Sequence, residues 1–355
     1  MKLLLLAQTP PPLHGQSLMV DTAVRGLPNH GIEVAHVNLR LSRNHADIGG
    51  WRAGKILAIL DACFHAIVAR CTENCDTLYY VPAPGKRGAL YRDWLVMLLV
   101  RPFYRRLVLH FHNGGLGDWL ETRATPLERS LTQVLLGRAD LAIVLTQSLR
   151  SDAAALHARC IAVVPNGIAP AASAAAPREN FVLFLGAVSG EKGALDLLAA
   201  IQLLRARGHA TRVVFAGPVE PTVRAALDRA RAADPGVCHE AGMVSGKEKA
   251  DLLARCGVVC LPTHYPHEGQ PLVALEALSA DAPVVATRWR GLPETLPPTT
   301  SLVAPGDTIS LAAALAATLA VPPPAGAHRE FFEARYTRER HLAMLARALR
   351  DALRA

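Results

Sequence analysis

The sequence predicts an α/β protein of two domains, each a parallel sheet with helices on both faces. Three observations predict it. Short apolar runs alternate with helical segments along nearly all of the 355 residues, which is the pattern of strand–helix–strand units. The alternation restarts after a stretch rich in Ala, Pro and Ser at 169–180. The length suffices for two separate cores.

Residues 3–7 read as a buried first strand, 10–15 as a loop at its carboxyl end, and Ser17 as the cap of a helix ending near Leu27. A second strand is expected at 32–41. Helices at 54–70, 89–101, 127–137 and 147–157 then interleave with strands at 77–81, 107–111, 141–145 and 161–164. Beyond the linker come strands at 181–185, 212–216, 237–241, 258–261, 284–286 and 301–303. Helices are expected at 194–207, 222–232, 247–254 and 309–319, with a further one opening at Pro271. Pro322, Pro323 and Pro324 precede a last helical region, 335–354, which either completes the second domain or packs back on the first. The expected division is 1–168, 169–334 and a terminal helix, 335–355.

Composition excludes several classes. The formal charge of +8 is uneven, with 18 Lys/Arg against 12 Asp/Glu in residues 1–168 and 20 against 18 in the remainder. Seven cysteines, an odd and scattered set, fit reduced cytosolic thiols better than a disulfide framework. Cys256, Cys260 and His264 have metal-like spacing, but 256–261 reads as a buried strand, so no metal site is expected. The apolar opening stops at Gln8, short of the roughly 7–15 residues of a signal peptide core. Nothing approaches the ~20 apolar residues of a membrane span. A cytoplasmic protein, peripheral at most on the inner face of a membrane, is the expectation.

The stretch His267-Glu268-Gly269-Gln270-Pro271-Leu272-Val273-Ala274-Leu275-Glu276 carries the strongest chemical signal. Proline suits a first helical position, where its missing N–H would have no intrahelical partner. Glu268 then stands in the loop and Glu276 inside the helix, eight positions later. The free amides of a helix start hold anions, and Gly269 lets a ligand approach the backbone. A phosphate at the helix tip, flanked by carboxylates that accept sugar or ribose hydroxyls, fits this arrangement. An ordinary amphipathic helix with solvated acids fits the segment alone as well.

Residues 86–106 hold six cations and one acid, Asp93, among Trp94, Leu95, Met97, Leu98, Leu99, Phe103 and Tyr104. Two readings stay open: an amphipathic element on an anionic membrane surface, or a core helix with a solvated basic rim. Nucleic acid is not expected, because the aromatics are not spaced as stacking platforms and the second half is almost neutral.

With both halves laid out, the chain resembles the retaining glycosyltransferases of the bacterial family called GT4, of GT-B fold, in which two Rossmann-like domains face each other across an interdomain cleft. Five landmarks occur in order: the proline-glycine loop ending at Gly15; Pro165-Asn166-Gly167; the loop from Gly186 to Glu191-Lys192-Gly193; the Glu-x7-Glu stretch; and Ala282-Pro283-Val284-Val285-Ala286-Thr287 with Gly291-Leu292-Pro293-Glu294. The resemblance implies that Glu268 contacts donor-sugar hydroxyls near the reacting carbon. It implies that Gly269, Gln270, Pro271 and Leu272 form the loop and helix start whose amides hold sugar and diphosphate, that Glu276 binds the ribose, and that Lys192 neutralises the diphosphate. Met243 and Val244 fall where the family places the nucleobase, and Gly15 where an amide approaches the phosphates. His112, at a strand end before Asn113-Gly114-Gly115, matches the family's active-site histidine, with a role near the donor sugar. His110, deeper on the same strand face, reads as structural.

Three departures stand out: His14-Gly15 where the family usually has two glycines, Ala187 where an arginine is common, and Gln270-Pro271 where an aromatic is usual. The expected activity is retaining transfer from a UDP- or GDP-linked sugar to a glycan or lipid-linked acceptor in polysaccharide or glycoconjugate assembly. In it the acceptor hydroxyl attacks the face that the diphosphate leaves, and a phosphate oxygen takes the proton. No cofactor is expected. No Asp-x-Asp pair exists in the chain, so the charge on the leaving group falls to Lys192, the helix tip and the Gly15 amide, without metal. The alternatives are a nucleotide-sugar epimerase of the same fold and a nucleotide-sugar-binding protein without transfer activity.

Overall fold

The computed structural model describes residues 1–40, 53–171 and 177–353. Leu41, the middle of the linker at 172–176 and Arg354 lie outside the described residues. The chain divides into two compact units, Met1–Gly167 with Arg338–Ala355, and Ile168–Thr337.

In the first unit β1 (Lys2–Ala7), α1 (Gly15–Gly26), β2 (Glu33–Asn38), α2 (Ala53–Thr72), β3 (Thr77–Tyr80) and α3 (Arg87–Val100) are followed by β4 (Arg106–Phe111), α4 (Leu116–Thr122), α5 (Pro126–Leu136), β5 (Leu141–Val144), α6 (Arg150–Ala154) and β6 (Ile161–Val163). The six strands are parallel in the order β2-β1-β3-β4-β5-β6. Leu4 and Leu6 of β1 enter the core on one face, and Leu3 and Leu5 the core on the other. Such two-sided burial is why strands of parallel sheets read as continuous apolar runs.

The second unit repeats the scheme. Its elements are β7 (Glu179–Leu185), α7 (Ala194–Ala206), β8 (Arg212–Ala216), α8 (Pro221–Ala233), β9 (Cys238–Gly242), α9 (Gly246–Arg255), β10 (Cys256–Leu261), α10 (Leu272–Ser279), β11 (Val284–Thr287), α11 (Leu292–Thr295), β12 (Ser301–Val303), α12 (Thr308–Ala320) and α13 (Ala327–Glu333). The parallel order is β12-β11-β10-β7-β8-β9. Strand succession reverses between β7 and β10, the switch point outside whose carboxyl ends open α/β sheets bind ligands.

The last helix, α14 (Arg338–Leu353), lies in the first unit. Leu345, Ala346, Leu349 and Leu353 share a core with Leu3, Leu5 and Val20. Arg350 donates to the His30 carbonyl at 2.8 Å.

Four elements differ from the sequence reading, one of them α11, a single turn within the Gly291-Leu292-Pro293-Glu294 landmark. The helix expected at 147–157 is a 3-10 turn plus the five-residue α6, with His157 at φ +52 just beyond it. α4 and α13 were not anticipated. Both start on a remote carboxylate: Asp152 accepts from the amides of Gly115 (3.0 Å) and Gly117 (2.6 Å), and Asp281 from those of Gly326, His328 and Arg329 (2.6–3.2 Å).

In the basic segment, α3 buries Leu90, Asp93, Val96, Met97 and Val100. Cations of this segment engage the chain itself. Arg87 pairs with Glu128, Arg92 with Asp93, Arg101 donates to the carbonyls of Leu135 and Gly137, and Arg106 to that of Leu353. Among the described residues no helix is long and apolar enough to cross a membrane.

Candidate functional site

In the second unit the predicted residues gather at the switch point. The loop after β7 carries Lys192, and the loop after β10 carries Glu268. Gly193, at φ +77, has no room for a side chain against the Pro262 carbonyl, and this close approach brings the loops together. His264 donates its amide to the Glu191 carbonyl at 2.9 Å.

Lys192 Nζ then lies 2.7 Å from Glu268 Oε2 and 4.7 Å from the Tyr265 ring centre. The same carboxylate oxygen accepts from Thr263 Oγ1 at 2.9 Å. The Glu268 side chain is 8% exposed and that of Lys192 30%, so the acid is held inside and the cation reaches outward. Trp289 Nε1 donates to the Tyr265 carbonyl at 2.8 Å and ties the loop after β11 to the loop after β10.

Gly269 and Gln270 are buried between Glu268 and α10. Pro271 is the helix N-cap, with extended ψ of 127°, and Leu272 is the first helical residue. This corrects the expected register by one position. No side chain caps α10, which leaves its first amides to water or to an anion. Glu276 stands in the second turn and pairs with Lys249 of α9, Nζ to Oε1 2.7 Å. Each acid of the Glu-x7-Glu stretch thus has its own lysine. Sequence reading missed Lys249, and only the period of α9 could have placed it on the face toward α10. Met243 and Val244 follow β9, Met243 exposed and Val244 packed against the core.

Lys249 holds one oxygen of the acid expected at the ribose. Lys249→Met is expected to raise the KM for a nucleotide-sugar donor about tenfold, the worth of one charge-assisted hydrogen bond, with kcat within twofold. Donor saturation kinetics measure it, and an unchanged KM would contradict this role.

Gly15 and His112 lie in the first unit. Gly15 opens α1, and the N-cap is His14 rather than the expected Ser17. Ser17 N–H donates to His14 Nδ1 at 3.3 Å, while Ser17 Oγ accepts from His14 N–H at 3.1 Å and donates to the Pro12 carbonyl at 2.9 Å. Asn113 donates to Gln16 Oε1 at 3.2 Å, which joins the start of α1 to the loop after β4. His112 is buried, its ring centre 4.1 Å from that of His110. His110 is bonded through Nδ1 to the Tyr79 hydroxyl. Burial, with His341 and His14 nearby, pushes the His112 pKa down to about 3. Burial lowers that of His341 to about 4, partly opposed by its bond to Pro165.

These histidines stay neutral in the folded chain and take up protons on unfolding. Between pH 6.5 and about 4 the unfolded state binds more protons, so stability falls as pH falls through that window, by up to about 1.4 kcal/mol per pH unit for each group. Thermal unfolding from pH 8 to 4 is expected to show a flat Tm above pH 7 and a steep decline below 6.5. A Tm constant down to pH 4.5 would contradict it.

Residues 179–320 match the family model for glycosyl transferases group 1. A glycogen synthase of Mycobacterium tuberculosis is 31% identical over 264 residues, 68% of this chain and 62% of that protein. The chain spans only 32% and 62% of the length of the first curated relatives it matches. In fold, sucrose-phosphate synthase from Thermosynechococcus elongatus superposes with a TM-score of 0.77, at 18% identity and 99% coverage of both chains. Anabaena HepE in complex with UDP superposes with a TM-score of 0.68, at 16% identity, covering 99% of this chain and 100% of that one. The match to the glycosyl transferases group 1 model spans the β7–β12 sheet, and with neighbours of the same architecture along both units the chain has the GT-B fold.

Proposed function

We propose that the chain is a retaining, metal-independent glycosyltransferase that moves a sugar from a UDP- or GDP-linked donor to a glycan or lipid-linked acceptor in polysaccharide or glycoconjugate assembly. The observation that carries this reading is the pair of lysine–carboxylate contacts at the second unit's switch point, Lys192 with Glu268 and Lys249 with Glu276. A nucleotide sugar presents hydroxyls and a diphosphate in alternation, and this arrangement offers acceptors and cations in alternation.

Glu268 accepts from hydroxyls of the donor sugar. Lys192, the Gln270 amide and the first amides of α10, from Leu272, hold the diphosphate as it departs. These are fixed charges and dipoles that need no reorganisation as the bond breaks. Glu276 takes the ribose, and Met243 with Val244 flanks the base. Gly15 and His112, in the first unit, keep the roles that the resemblance implies for them. The acceptor hydroxyl attacks the face the diphosphate leaves, and a phosphate oxygen takes its proton. The complex of HepE with UDP supports a UDP-linked donor. The exposed Tyr91, Leu98 and Phe103 support an acceptor at the surface of an anionic membrane along 86–106, on the cytoplasmic side.

Incubation with UDP-, GDP- and ADP-sugars, with and without saccharide and lipid-linked acceptors, tests the reading. Nucleotide release that requires acceptor and withstands EDTA is the expected result. Altered sugar without acceptor would indicate an epimerase, and binding without either would indicate a protein that holds donors without transferring them. Strict dependence on added Mn²⁺ would overturn the electrostatic account.

A further inference from the structure

Beneath His112 lies a buried polar arrangement that the proposed transfer chemistry does not use. His110 is 1% exposed and His341, from α14, 2%. Each has one nitrogen engaged and its Nε2 buried without a hydrogen-bonding partner. His341 is near enough to act electrostatically on both His110 and His112, and buried polar groups are nearly always paired.

The protons can be assigned from the engaged nitrogens. His341 Nδ1 lies 2.7 Å from the Pro165 carbonyl. A carbonyl only accepts, so Nδ1 carries the hydrogen, and in the neutral ring Nε2 is left as a lone pair. The Tyr79 hydroxyl, kept protonated by complete burial, can donate to His110 Nδ1 or accept from it; in the arrangement where it donates, the His110 hydrogen is on Nε2. The unpartnered atoms are then complementary, one N–H donor and one acceptor. One water between them would accept from the first and donate to the second, the usual role of buried water.

We propose that His341 is a positioning residue for His112: through one ordered water it accepts the Nε2 hydrogen of His110 and so locks the ring against which His112 packs. The ordered chain runs from Tyr79 O–H to His110, to water, to His341 and to the Pro165 carbonyl. It joins β3, β4 and α14 to the residue just before Asn166-Gly167. His110 alone could rotate about its bond to Tyr79. With His341 in place both ends of its ring are held, and the tilted stacking of His112, 35° between planes, has a fixed support. The catalytic consequence rests on the role proposed for His112, but the positioning itself does not.

The test uses the full chain, ¹⁵N-labelled at histidine, with long-range ¹H–¹⁵N correlation to read each tautomer. His341 with its hydrogen on Nδ1 and His110 with its hydrogen on Nε2 are expected, and a His341 protonated at Nε2 overturns the proposal without any variant. His341→Leu is expected to shift the His110 and His112 ring resonances and to lower transfer kcat about 10- to 100-fold, as small misplacements at a reacting centre do, with donor KM within twofold. In His341→Gln the amide oxygen stands near the former Nε2, and both resonances and kcat are expected to recover most of the way. Unmoved His112 resonances in a folded His341→Leu chain, or failure of His341→Gln to restore them, overturn the positioning. Shifted resonances in a chain whose wild type transfers no sugar would leave the positioning intact and overturn the proposed function.

Discussion

Glu268→Gln is expected to lower transfer kcat about 10²- to 10³-fold, the scale seen when one preorganised polar group is removed from a reacting centre. The substitution keeps volume and one acceptor oxygen, so Thr263 retains a partner and the loop after β10 keeps its shape. What is lost is charge. The carboxylate is held at 8% side-chain exposure between Lys192 and Thr263, where charge-assisted hydrogen bonds are about twice as strong as neutral ones. A sugar hydroxyl that donates to this oxygen gains that strength as positive charge develops at the neighbouring carbon. The effect should therefore fall on kcat more than on donor KM. Steady-state kinetics with a responsive donor, beside a thermal melt to show that the variant folds, measure it. Full activity would remove Glu268 from the reacting end of the site.

Much of this site is legible from the chain alone, because it is built where local signals and topology coincide. The Pro271-Leu272 helix start, the apolar strand before it and the two acids lie within one short segment. The strand order then places that segment beside the Lys192 loop, as the strand–helix alternation implies. The parts that were not legible depend on remote partners. α4 and α13 begin on Asp152 and Asp281, acids dozens of residues away from the amides they cap. The N-cap of each is a glycine, Gly115 and Gly326, so no Ser, Thr or Asp cap announces those helices. His14 replaced Ser17 as the cap of α1 because the Ser17 hydroxyl had already been drawn back to Pro12. Lys249 and His341 are invisible for the same reason, since each matters through a residue it meets only after folding. A lysine at 249 reads as solvated helix surface until α9 and α10 stand side by side, and a histidine at 341 as part of a polar stripe until α14 is known to pack in the first unit.

Lys192→Met is expected to cost more than its place on the surface suggests, for two separable reasons. In the resting protein it removes the 2.7 Å partner of Glu268 and leaves that buried carboxylate with Thr263 alone. An under-satisfied buried charge costs about 2 kcal/mol, which would lower Tm measurably. In the reaction it removes the cation expected at the departing diphosphate, where Ala187 supplies none, and kcat should fall about 10²- to 10³-fold. Lys192→Arg separates the two. A guanidinium restores charge but not the compact ammonium geometry, so stability should return more fully than rate. The double variant Lys192→Met with Glu268→Gln removes the stranded charge and should melt above Lys192→Met alone, while its kcat falls little below that of the worse single variant. Residues that act as one unit are non-additive in this way. Rate losses that simply multiply would mean that lysine and glutamate serve different ligand groups independently, and that their contact in the resting protein has no part in the transfer step.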